Sequence, residues 1–359
     1  MPKKKPSVAE PRFRMPAEWE PHRATWLAWP HRESDWPGRF GPIPWVYAEI
    51  IRKLAQVERV RLIVRDAPME RAARKVLSSM GTDLRKVDFL RMSTDRSWAR
   101  DFGPIFVKAP GPRGRVHIAD FRFNGWAKYP DWRKDNAVAA RASRDLRIPR
   151  IIPVAAVRGR RRPVVLEGGS IDVNGLGALL TTEDCLLSPV QARNPGLSRE
   201  GIEGILREVL GARKVLWLGR GIAGDDTHGH VDDIARFVGP CTVVAAVEES
   251  RSDPNFAPLR ENLDRLRSMT DQDGRPLRVV PLPMPRPIVF EGQRVPASYA
   301  NFYIANRLVL VPTFNDPADR QALSTLSGLF PDREVVGIHC GDLIWGLGTL
   351  HCMSHEEPL

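Results

Sequence analysis

The chain has 359 residues, 42% hydrophobic and 27% charged, with 54 Lys and Arg against 43 Asp and Glu for a formal net charge of +11. The length allows about two average domains or one larger closed unit, no uninterrupted apolar run approaches the roughly 20 residues of a membrane helix, and four scattered cysteines are too few for a disulfide scaffold. The basic excess is dispersed, and its densest runs, Lys3 to Lys5 and Arg158 to Arg162, lack the interleaved aromatic residues of a nucleic-acid platform; neither nucleic acid nor membrane is expected as a partner.

In chain order, "MPKKKPSVAEPR" is basic and has no apolar stretch of a secretory signal. Residues 1–12 therefore read as a flexible basic tail, residues 13–359 as a single α/β domain, and the protein as cytoplasmic. Self-association is left open. Helical apolar periodicity appears at 45–56, 136–146, 199–210, 255–269 and 319–329, with an extra short helix at 69–79. Between these lie β-branched and aromatic runs at 59–64, 177–182, 241–247 and 307–312, which read as strands. Three of the four intervals between the five main helices lie near about 60 residues, a repetition that suggests five strand-helix units whose loops meet at one centre.

Four places break the apolar patterns with polar residues at strand ends or turns, where scaffolds display reactive groups. They are "SWARDFGPIF" at 97–106, "VVLEGGSIDV" at 164–173, "GDDTHGHVDDIARF" at 224–237 and "GTLHCMSHEEP" at 348–358. If 226–233 is extended, its period of two puts Asp226, His228, His230 and Asp232 on one face. Zinc held by His228, His230, Asp232 and Cys352 is one reading of such a set. A second is nucleophilic catalysis, with a thiolate that attacks, an imidazole that moves protons and a carboxylate that orients the imidazole. A third is a core or capping histidine beside a salt bridge. The chain has neither HExxH nor paired CxxC. It does have an excess of acids around the histidine, Asp225, Asp226, Asp232 and Asp233 together with Asp101 and Glu167, which suits a cation and above all a planar guanidinium.

Six motifs in order, "MPAEWEPHRATWLAWP" (15–30), "WARDFGPIFV" (98–107), "LEGGSI" (166–171), "GHVDD" (229–233), "PASYANFYIAN" (296–306) and "GLGTLHCMSHEEP" (346–358), resemble the agmatine deiminase family, which also holds bacterial peptidylarginine deiminases. The resemblance implies a five-bladed α/β propeller of the guanidine-modifying superfamily, and a hydrolysis of agmatine to N-carbamoylputrescine and ammonia with no metal or organic cofactor. It implies Cys352 as nucleophile, His230 as general acid and base, Asp101 and Asp232 as guanidinium ligands, and Glu167 as the partner that orients His230. Trp98 and Trp126 would stack on the guanidinium or cover the alkyl chain, or serve the core, and Asp226 would receive a distal ammonium. Two departures, His355-Glu356-Glu357 after the cysteine in place of a Gln-rich tail and His228 where the family often has Asn, leave the exact substrate open. Deimination of arginine or peptidylarginine is the neighbouring reading; a non-catalytic guanidinium or polyamine binder and a zinc protein are the readings from other classes.

Overall fold

The β-branched run Arg59–Val64 forms a strand whose last three residues are buried, as a half-buried pleated surface favours. In the computed structural model, which describes residues 12–111, 114–157 and 159–359, the expected helices appear with their ends moved by a few residues, at Ile43–Val57, Ala67–Ser79, Val138–Leu146, Arg199–Leu210, Phe256–Ser268 and Ala318–Leu329. Apart from Arg12, the expected basic tail lies outside the described residues, as does Arg158. Helix boundaries follow their local chemistry. Asp66 accepts the Met69 N–H at 2.8 Å and Ser198 accepts that of Gly201 at 3.2 Å, each satisfying an amide that the first turn leaves unpaired. Gly211, at φ 76°, ends Arg199–Leu210 in the left-handed region.

Five sheets of three or four strands and two two-stranded hairpins make up a mixed α/β fold among the described residues. Each larger sheet repeats one pattern: a short strand pairs antiparallel with a central strand, a helix follows, and a third strand pairs parallel on the far side. The second sheet joins Ile105–Lys108, Val116–Ala119 and Arg150–Ile151. The third joins Asp172–Val173, Ala178–Thr182 and Lys214–Leu218. The fourth and fifth are built alike from Ala235–Gly239, Thr242–Val247 and Arg278–Pro283, and from Tyr303–Ile304, Leu308–Thr313 and Glu334–His339. A parallel step needs a crossover, and the periodic helices supply it.

The first sheet takes its leading strand from far along the chain. His355–Pro358 pairs antiparallel with His22–Ala28, which continues in parallel to Arg59–Val64 and Val87–Arg91. The Trp26 indole N–H donates to Glu357 at 3.0 Å, and Arg61 reaches the same carboxylate at 2.8 Å. Trp26 and Leu27 have no solvent exposure, and burying such side chains contributes about 1.5–3 kcal/mol apiece. This pairing fixes the segment that carries Cys352.

Candidate active site

Just ahead of the leading strand of each sheet the chain makes a tight turn, and the candidate residues sit in these turns. Asp101 lies in the helical turn Ala99–Phe102, Glu167 directly precedes Gly168–Ser170, His230 and Asp232 flank the start of Val231–Asp233, and Cys352 lies in Leu350–Met353. The fifth sheet contributes Asn301, between the turn at 299–300 and Tyr303–Ile304. The turn with Asp101 packs on those of Gly168–Ser170 and Cys352, and Gly168–Ser170 packs on Val231–Asp233. Gly169 permits that approach: a Cβ there would lie 2.6 Å from His230 Nδ1 and 2.9 Å from Asp101 Oδ1.

The five residues expected from the motifs come together. His230 Nδ1 stands 3.8 Å from Asp101 Oδ1 and 4.0 Å from Asp232 Oδ1, while Nε2 stands 3.8 Å from Glu167 Oε2 on the other side. These are ion-pair separations, longer than hydrogen bonds. The Cys352 thiol donates toward Asp232 Oδ2 at 3.8 Å. The segment 226–233 is not extended: His228 and Gly229 adopt φ of 65° and 88°, and the chain turns between them and His230. That turn parts the four residues an extended strand would have aligned. His228 leaves to Ser188 Oγ at 3.0 Å and Asp184 at 3.5 Å, so it joins neither of the close groups of ligand-type side chains, Glu167–Cys185–His230 and Asp232–Asp233–Cys352.

Charge in this floor is unevenly compensated. Burial would lift the Glu167 carboxyl, yet Arg193 and His230 outweigh it and hold the carboxyl at about 2; Arg193 Nε donates to Glu167 Oε1 at 3.0 Å with both side chains fully buried. Burial, helped by Asp232 and Glu167, pushes Asp101 up to about 6 despite His230. Its oxygens take the Trp126 indole N–H at 2.8 Å and the Gly169 amide at 3.0 Å, which fixes the carboxylate plane. Burial opposes a charge on His230, but Asp101 and its other partners raise its pKa well above the ordinary value, so the imidazole is cationic at neutral pH. Burial, then Asp232, Asp233 and Asp101, raise the Cys352 thiol well above its ordinary range.

Three residues of the floor carried no signal of their own in the sequence. His351 is hydrogen-bonded at both ring nitrogens to carboxylate acceptors, Nδ1 with Asp232 Oδ2 at 2.6 Å and Nε2 with Glu18 Oε2 at 2.9 Å, and Glu18 is held in turn by Arg236, Arg100 and the Ile304 amide. Asn301 Nδ2 donates to Cys352 Sγ at 3.1 Å and to Asp233 Oδ1 at 3.0 Å, while its Oδ1 accepts from Thr349, His351 and Cys352. Glu18, Asn301 and His351 all lie inside quoted motifs, so their place in a motif was the available signal. His355 is buried and held neutral, its pKa pushed down to about 3 mainly by burial, and it stacks on Phe106.

A cavity of about 740 Å³ opens above this floor, reaching Asp101 and Cys352 and walled by Trp98 and Trp126. Asp226 is in its wall, but its oxygens are engaged by Lys128 and, at 2.5 Å, by the Tyr129 hydroxyl. Two of the residues that line this cavity, Trp126 and Leu347, are non-glycines at positive φ, 56° and 68°, a backbone conformation uncommon outside sites and turns.

A buried thiol, a cationic imidazole and several carboxylates, brought to one point by repeated sheet units, define a cysteine enzyme of the guanidine-modifying kind. The chain belongs to the Porphyromonas-type peptidyl-arginine deiminase family, whose profile matches residues 14–358. It is similar to the agmatine deiminase of Ectopseudomonas mendocina, at 36% identity over 96% of this chain and 95% of the relative. Among solved structures it is similar to the agmatine deiminase of Enterococcus faecalis, at 33% identity and a TM-score of 0.86 over 97% of this chain and 96% of the other. It is also similar to a Cys-to-Ser agmatine deiminase from C. jejuni with substrate bound, at 29% identity and a TM-score of 0.83 over 96% of each chain.

Proposed function

We propose that this protein deiminates a guanidinium substrate, agmatine first, giving N-carbamoylputrescine and ammonia through a covalent intermediate on Cys352. The observation that carries the reading is the juxtaposition of the Cys352 thiol, the His230 imidazolium and the Asp101 and Asp232 carboxylates at the bottom of one cavity. Asp101 and Asp232 take the guanidinium by paired charge-assisted hydrogen bonds and set its carbon against Cys352 Sγ. Asp232 offers Oδ1, which has no hydrogen-bond donor among the described residues.

With the cavity empty the neighbouring carboxylates favour the protonated thiol. A bound guanidinium offsets them, so ionisation of Cys352 is assisted by the substrate. The thiolate attacks the guanidinium carbon to form a neutral tetrahedral adduct. His230 gives its proton to one amino group, the C–N bond breaks, and ammonia leaves behind an S-alkylthiouronium. His230, now neutral, takes a proton from water as the oxygen attacks the same carbon. Collapse of that adduct breaks the C–S bond and returns the thiolate, and the hydroxyl proton passes to the released ammonia or to solvent, which leaves the neutral ureido product. Glu167, itself fixed by Arg193, keeps His230 oriented and stabilises its cationic form.

Finer points of architecture and setting belong to the same proposal. We read the five sheets as blades of a five-bladed α/β propeller forming one domain over 13–359, supported by the repeated strand order and by the five turns meeting at the site. We place the protein in the cytoplasm, in keeping with its four free cysteines; no helix among the described residues is long and apolar enough to cross a membrane. The partner is a small cationic guanidine. The size of the cavity, within the range that accepts drug-sized ligands, favours one second reading, an arginyl side chain on a peptide. Ammonia release and ureido colorimetry across agmatine, arginine and a blocked arginyl peptide tests both. Turnover of agmatine above the others is expected, turnover confined to the peptide supports the second reading, and no ureido product from any of them overturns deimination.

A further inference from the structure

Three carboxylates stand in the cavity wall above the tryptophans, and they differ in what remains open on them. Asp226 has Lys128 on Oδ1 and the Tyr129 hydroxyl on Oδ2. Asp131 has Arg96 on Oδ1 at 3.2 Å and Arg32 on Oδ2. Asp35, at the end of the turn Glu33–Asp35, receives Arg96 Nη1 at 2.7 Å and Arg32 Nε at 3.6 Å on Oδ1 alone. Its Oδ2 is buried with no hydrogen-bond donor among the described residues, on a side chain only 2% exposed. A buried acceptor left unpaired is destabilising, and a ligand N–H arriving in the cavity would relieve it.

Asp35 is also placed for a group tethered to a guanidinium at the floor. Its partner Arg96 lies over the rings of Trp126 and Tyr129, at 5.7 and 4.2 Å, and Trp126 is the residue whose indole holds Asp101. Its chain neighbour Trp36 packs on Trp98 with ring centroids 5.3 Å apart. Asp35 lines the same cavity as Trp98, Trp126, Asp101 and Cys352, so a substrate with its guanidinium on Asp101 and its chain between the two tryptophans occupies space that Asp35 borders.

We propose that Asp35 is the seat of the substrate's distal primary ammonium and sets the preference for an aminoalkylguanidine over an alkylguanidine. The inference rests on the deimination reading and names the part of the substrate that reading leaves unassigned. Asp226, the carboxylate that the sequence pattern suggests for this role, has both oxygens engaged already, whereas Asp35 has a partner on Oδ1 alone.

The test compares kcat/KM for agmatine and for butylguanidine, which has the same tetramethylene chain without the amine. Wild type should prefer agmatine by about tenfold or more, the order expected of a charged hydrogen bond. Asp35→Asn should reduce that preference at least tenfold through agmatine alone, with butylguanidine changed by less than about twofold. Arg96→Met removes a guanidinium that helps to keep Asp35 ionised, so the preference should weaken at neutral pH and return as pH rises, and melting curves on both variants establish that they are folded. Equal losses on the two substrates in Asp35→Asn, or a preference abolished by Asp226→Asn instead, overturn the assignment. Turnover of butylguanidine by wild type with no agmatine preference overturns the seat while leaving deimination standing. Absence of ureido product from either guanidine overturns the deimination reading and this inference with it.

Discussion

The floor and the mouth of one cavity handle the same residue type in opposite ways. At the mouth, Asp226 and Asp131 are paired with cations and partly exposed, at 19% and 27% of their side-chain surface. At the floor, Asp101, Asp232 and Asp233 are buried and share the single His230 imidazolium, their other partners being an indole, a backbone amide, an Asn amide and the His351 imidazole. The lesson is that a protein with net positive charge can still present a cation site, since screening over about 8 Å removes distant charges from the sum. What decides is the local excess of carboxylates over the cations that pair with them.

The sharpest way to break the comparison is at the thiol that the floor surrounds. Cys352→Ser should lower kcat by at least about a thousandfold, because a hydroxyl is far less nucleophilic than a thiolate, while calorimetry still registers substrate binding; turnover near wild type would remove Cys352 as nucleophile. Second is Arg193→Met, which leaves Glu167 buried without its cation and should cost about 3–5 kcal/mol in denaturant unfolding. A loss below about 1 kcal/mol would mean that Glu167 does not need Arg193. Third, His351→Ala should lower kcat/KM by about 10- to 150-fold through loss of the hydrogen bond that orients Asp232, with His351→Asn recovering part of it. Equal defects in the two variants would reduce His351 to a space-filling role.

A pH profile sharpens the contrast more gently. Asp101 has a pKa near 6 and must be ionised to hold a guanidinium, so kcat/KM should fall as pH drops through about 6, since below that value the carboxyl is neutral. Butylguanidine is the substrate of choice, because Asp35 is also pushed up to about 6 by burial and would act on an amine. In Asp232→Asn the acidic limb should move to lower pH, as Asp232 is one of the charges that raise Asp101; an unmoved limb assigns it to another group. The smallest effect belongs to the mouth: Lys128→Met breaks an ion pair whose lysine is 43% exposed and should change unfolding free energy by less than about 1 kcal/mol.

How much of this was legible in the sequence varies with the range of the interaction. Periodicity located every crossover helix to within a few residues, since each buries one apolar stripe that recurs with the helical period. The five residues expected in the site stand out because each sits in a polar motif that interrupts such a stripe, but their roles came only from the resemblance to a family. The condition that 226–233 be extended is not met, because alternation of polar residues does not report the left-handed turn at His228 and Gly229. Partnership across the chain was invisible: nothing near Glu18 announces that it supports His351, 333 positions away, and nothing near Asp226 announces Lys128. Such pairings are set by how the sheets pack, which residue type and spacing do not encode.

The pairing of His355–Pro358 with His22–Ala28 also has a consequence in time. Contacts this remote in sequence, such as the 331 positions between Trp26 and Glu357, are the slow ones in folding, because the chain must close a loop of nearly its whole length before they form. Until then His22–Ala28, which carries the apolar Trp26 and Leu27, has one uncovered edge open to wrong pairing with another molecule. The same closing step brings Cys352 to the other four turns. During refolding, recovery of catalysis should therefore trail recovery of helical circular dichroism, and chains caught before closure should be both inert and prone to aggregate.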